Sequence, residues 1–223
     1  MNPGNFSSIG INRVRRFILP GLAAASLFLL VFGCSASGTL THPIFPVIRF
    51  INPEAERIPG RYILVIDPPL RSLQADVRPS SQTCGAHDFP VRVGNAFAHL
   101  LINTLRYRFD EIVLEREFPP PGALEERGMK GAIFLRLDTF NPTISCPFAG
   151  SCIERTEVVL WVRFVDGQGR VLLNEGIRGE YEEKGGSIVE CAKIAPHLDH
   201  SVSEALKEAA VNLLKRIGDV LAP

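Results

Sequence analysis

The chain has 223 residues, 24 basic against 24 acidic side chains, and a hydrophobic fraction of 46%. That length suits one domain with a sizeable core, at ~100–200 residues per domain. The balanced charge and the lack of a basic stripe argue against nucleic acid as a partner, and no internal repeat or low-complexity tract points to a solenoid or a disordered chain.

In chain order, the first feature is Arg13-Val-Arg15-Arg16, followed by the apolar run Phe17–Phe32 and the junction Gly33-Cys34. The run is 16 residues and is broken early by Pro20-Gly21. It falls short of the ~20 residues that cross a bilayer. Basic flank, short apolar stretch and small-residue junction together read as an export signal over residues 1–33 that is removed from the mature chain. Without Arg13, Arg15 and Arg16 the remainder holds 21 basic and 24 acidic residues, a net charge near −3. Val31-Phe32-Gly33-Cys34 resembles the lipobox of bacterial lipoprotein precursors. The resemblance implies that the Cys34 sulfur carries a diacylglycerol, that the chain is cut before it and that the freed amine is acylated. Several acyl chains on one residue make stable anchoring, because each buried CH₂ contributes ~0.8 kcal/mol. Ser35 stands where Asp signals inner-membrane retention in enteric-type lipoproteins, so the same resemblance implies an outer-membrane protein facing the periplasm.

Residues 34–59 are proline-rich without periodicity and read as the lipidated Cys and an extended tether. Residues 60–223 form a single domain. Arg61–Ile66 predicts a first strand, and residues 68–90 read as irregular. Val93, Phe97, Leu100, Leu101, Leu105 and Phe109 recur at helical spacing, predicting a helix from about Val91 to Tyr107 with Asn95, His99, Asn103 and Arg106 exposed. Glu111–Glu115 predicts a strand and Ala123–Arg127 a short helix. Alternation predicts strands over Gly131–Phe140, Glu157–Val165 and Arg170–Glu182, with Asp166-Gly-Gln-Gly169 as a hairpin turn. Ser201-Val-Ser-Glu204 reads as a capping box opening a last helix whose stripe runs from Val202 to Leu221. This order predicts an α+β two-layer sandwich, a mixed, mostly antiparallel sheet with two main helices on one face. Its outer face would carry Phe134, Val159, Trp161 and Val165 among Arg136, Asp138 and Arg163, unusually apolar for solvent.

Beyond Cys34, four cysteines remain, an even number for an oxidising compartment. Three pairings are formally open. Cys146 and Cys152 bracket a short turn-rich loop between strands, so Cys146–Cys152 is expected, and by elimination Cys84–Cys191. Cys84, His87, Cys191, His197 and His200 have zinc-like spacing, but oxidised thiols with surface histidines are the simpler expectation. No acyl-transfer elbow, metalloprotease helix or phosphate loop is present, and Glu180, Glu182, Glu183, Asp138 and Glu157 read as a solvated edge. No catalytic residue, cofactor or metal is therefore expected. Exposed aromatics on a sheet face mark contact with a partner, which nominates Phe134, Val159 and Trp161, with the 146–152 hairpin tip as a second candidate surface. The element order resembles small envelope lipoproteins that assist lipopolysaccharide assembly or serve ABC-type transport as auxiliary subunits. The resemblance implies a lipid-anchored accessory protein, not an enzyme, held to the membrane by its lipid and binding an envelope protein. The alternative is an envelope hydrolase or zinc enzyme using His87, His197 and His200.

Overall fold

The computed structural model describes residues 40–47, 56–80, 83–120, 122–147, 150–187 and 189–221. The expected signal and Cys34 lie outside the described residues. In chain order the elements are β1 (Leu40–Thr41), β2 (Ile58–Ile66), β3 (Leu73–Val77), β4 (His87–Gly94), α1 (Ala96–Arg108), β5 (Phe109–Glu115), α2 (Ala123–Glu126), β6 (Gly131–Ser145), β7 (Ser151–Asp166), β8 (Val171–Ser187) and α3 (Ile194–Leu221). The class is α+β, as the element order predicts.

A five-stranded sheet runs β5-β2-β6-β7-β8. β2 pairs in parallel with β5 and β6, and the β6-β7-β8 meander is antiparallel. Tyr62–Ile66 is apolar at five consecutive positions, all buried, because β2 is covered on both sheet faces. Tyr62, Leu64 and Ile66 enter the main core, and Ile63 and Val65 a second, smaller cluster on the opposite face. On β7, Val158, Leu160, Val162 and Phe164 all point into the main core and are fully buried. They meet Phe97, Leu101 and Leu105 of α1 and Leu206, Ala209 and Leu213 of α3 in one cluster. α3 lies close on β8, where a Cβ on Gly179 would strike backbone atoms of Ala205 and Ala209. Glycine facing alanine brings helix and sheet into direct backbone contact.

Three features differ from the sequence expectations. Residues 68–90 contain β3 and the first half of β4, which with β1 build a second sheet in the order β1-β4-β3. Phe89, Val91 and Val93 of β4 are buried in alternation with half-buried neighbours, so the predicted helix surrenders its first residues to a strand. Gly94, at φ 55°, turns the chain into α1. Second, residues 40–47 of the expected tether lie along β4. Leu40, His42 and Ile44 donate backbone hydrogen bonds to Ala86, Asp88 and Pro90 at 3.1, 2.8 and 2.9 Å, and Ile44 is buried. Third, α3 begins at Ile194, so Ser201 is an interior helical residue and not a cap. Its hydroxyl donates to Thr156 Oγ1 at 3.0 Å or the Tyr181 carbonyl at 3.1 Å, which satisfies it within the core.

Candidate partner-binding face

The outer face of the five-stranded sheet changes character along its strands. At the end near the β7–β8 turn, Val165 is not exposed but buried with Ile63, Val65, Leu124, Met129 and Ala132 under α2 and the Phe118–Pro120 segment. Phe134 is half-buried against this cluster and meets the edge of Phe118, ring centroids 6.3 Å apart. Beside it opens a cavity of about 200 Å³ lined by Phe118, Pro119, Pro120, Leu124, Arg163 and Val165. Sites for whole drug-sized ligands run to about 300–1,000 Å³, so this one suits a single apolar side chain of a partner. The Arg163 guanidinium sits 5.4 Å from the Phe118 ring centre at its rim.

Trp161 and Val159 follow along β7, both half-buried. Arg136, directly across on β6, holds its guanidinium 5.9 Å from the Trp161 ring centre. Gly176 faces Trp161 from β8 and leaves that flank of the indole without a side-chain wall. Further along, Glu157 and Glu180 stand opposite one another. Arg178 reconciles these like charges, reaching Glu157 at 3.0 Å and Glu180 at 2.8 Å, and Arg155 also pairs with Glu180. The face thus runs from an apolar cavity through two arginine–aromatic pairs to an ion-pair lattice. Arginine and tryptophan around an apolar centre with a charged border match the composition of partner contacts.

The cysteines form the bridges Cys84–Cys191 and Cys146–Cys152, with Cα separations of 5.7 and 4.2 Å. With those thiols oxidised, the histidines take other partners. His87 Nδ1 and His42 Nε2 lie 2.9 Å apart, joining β4 to residues 40–47. His197 Nδ1 lies 2.9 Å from Glu183 Oε1, and His200 sits against the Tyr181 ring edge. Among the described residues no group of three or more His, Cys, Asp or Glu side chains is arranged to hold a metal.

The sequence reading missed Glu154. It is fully buried, on the inward face of β7 between Cys152 and Thr156, and neither carboxylate oxygen has a hydrogen-bond partner of good geometry. Burial pushes its carboxyl above the ordinary range, with His197 opposing the shift and Glu183 adding to it. Extending the period-two pattern of β7 back from Val158 through Thr156 points to it. Asp199 likewise has a raised carboxyl because of burial, with His200 opposing.

No protein-family model and no curated protein sequence matches the chain. Similar solved structures include a Xanthomonas campestris protein of the DUF330 family, with TM-score 0.45 and 8% identity over 82% of this chain and 99% of that one. A minor lipoprotein from Acinetobacter baumannii aligns with TM-score 0.36 and 10% identity over 69% of this chain and 94% of that one. A Chlamydia trachomatis protein aligns with TM-score 0.38 and 10% identity, covering 74% of this chain and all of that one, 100%.

Proposed function

We propose that this chain is a lipid-anchored accessory protein of the bacterial cell envelope, held by Cys34 in the outer membrane and facing the periplasm. It works by binding a protein partner through the outer face of its five-stranded sheet. The export signal ending at Gly33-Cys34 supports the address. The side-chain-sized cavity beside Phe134, continued by Trp161 under Arg136, carries the binding reading. A partner would seat one apolar side chain in the cavity and cover the indole, and the Arg155–Glu180–Arg178–Glu157 lattice would border the contact and set its orientation.

A photoreactive amino acid placed at Trp161 in living cells tests this, with one at exposed Lys215 on α3 as control. Discrete adducts from position 161 and none from 215 are expected. Absence of adducts at 161, or the same adducts at both positions, overturns the assignment of this face.

A further inference from the structure

Three large apolar side chains are exposed within the eight residues of segment 40–47: Leu40 at 56%, Phe45 at 67% and Val47 at 76%. Single exposed apolar residues are ordinary on any protein. Here they share the short stretch that leads directly to the anchor. The segment is also fastened: Ile44 and Pro46 turn inward, Ile44 pairs with Val91, and Arg92 N–H donates to the Ile44 carbonyl at 2.8 Å. The His42–His87 contact ties it once more. Phe45 and Val47 are therefore held outward on a fixed sheet edge, alternating with buried neighbours, and are not carried on a swinging tether.

Five residues separate Cys34 from Leu40, six Cα steps that reach at most about 20 Å when fully extended. The intervening Ser-Ala-Ser-Gly-Thr is uncharged. Resting on the lipoprotein reading above, we infer that Phe45 and Val47 form a membrane-seating surface, inserting into the interface of the bilayer that holds the Cys34 acyl chains. A short tether delivers this edge to the lipid, and apolar side chains at the headgroup–acyl boundary gain burial that water denies them. The lipid would then do more than retain the domain. Docking at both the acyl chains and this edge would restrict how the domain presents its partner-binding face.

The test uses full-length lipidated protein in phosphatidylethanolamine–phosphatidylglycerol vesicles. Trp161 is the single tryptophan of the chain, so Phe45→Trp in a Trp161→Phe background reports on one site. Intact mass first establishes acylation of Cys34. With brominated acyl chains, the Phe45→Trp indole should lose roughly half its emission or more, while Trp161 of the unsubstituted protein is barely quenched. Val47→Ser added to the Phe45→Trp, Trp161→Phe protein should leave the melting temperature unchanged and weaken the protection of that indole from water-soluble quenchers on vesicles. An acylated protein whose Phe45→Trp indole is unquenched overturns the seating surface and leaves the anchor intact. Concentration-dependent burial of that indole without lipid quenching overturns it in favour of a second copy. A chain without acyl mass at Cys34 removes the anchor reading and this inference together.

Discussion

Adjacent residues on β7 serve opposite faces, and their substitution separates folding from the proposed binding. Leu160 is fully buried in the main core, so Leu160→Ala opens a cavity and should cost ~2–5 kcal/mol. Trp161 is half-buried beneath a guanidinium. Trp161→Ala should change stability by less than about 1 kcal/mol while weakening partner association by about 2 kcal/mol or more. Chemical denaturation of both variants checks this, and comparable unfolding would make the Trp161 face internal core. Glu154 supplies a prediction with a definite pH sense. Because burial raises its native carboxyl above the unfolded value, the native state favours the protonated form. Its contribution is fully present below the unfolded value near ~4.3 and is lost as pH rises through the raised native one. Glu154→Gln should accordingly stabilise the domain by about 1–3 kcal/mol at neutral pH, the difference shrinking toward about pH 4. Urea midpoints measured across that range for both proteins decide it, and a destabilised Gln variant at neutral pH would mean that the charge is held by favourable partners.

Among elements, the contact of α3 with β8 is set by small residues. Gly179 has no room for a methyl group against the α3 backbone, so Gly179→Ala should force the helix outward and cost about 1–3 kcal/mol. Gly176, three residues earlier, meets only the Val159 Cγ1, at 3.2 Å from an added Cβ. Gly176→Ala should be tolerated by comparison, and paired thermal melts of the two variants read the contrast. The end of α3 that follows Cys191 is pinned by the long-range bridge, and the β6–β7 hairpin by the short one. Cys84 and Cys191 are 107 positions apart and Cys146 and Cys152 only 6. In the chain-entropy account these bridges contribute ~5 and ~2 kcal/mol. Removing the first as a double Ala variant should therefore lower stability more than removing the second. Equal losses in oxidised samples would show that native packing, not chain constraint, governs both.

For the whole molecule, the proposed lipoprotein reading makes attachment depend on one residue. No described helix is long and apolar enough to cross a membrane, and the lipobox resemblance places the acyl chains on Cys34. Cys34→Ala should release the protein from the membrane fraction on carbonate extraction and remove the acyl mass. Retention of the variant would sink the lipoprotein reading. Five strands and two main helices were legible because their patterns are strong. The inward row of β7 and the α3 stripe repeat at strand and helix periods over many residues. β3 and β4 were not, since Leu73–Val77 is short, both strands carry charges, Pro90 interrupts the second, and they acquire strand character from pairing with each other and with residues 40–47. The candidate face was legible only as alternation. Phe134 and Trp161 read as outward residues, but the Phe118–Pro120 segment that turns part of that face into a cavity is joined to it only by the fold.

Periodicity and composition alone determined the α+β class, the order of the main elements and the division of β7 into two faces, because each depends on residues close in sequence. The Gly33-Cys34 junction likewise carries the proposed anchor locally. Tertiary structure decided what depends on distant residues. It buried Ser201 against Thr156 and Tyr181, put Glu154 in the core and covered Val165 with α2. It also bound residues 40–47 to β4, since so short an edge segment is held in place only by the backbone hydrogen bonds of the strand it pairs with.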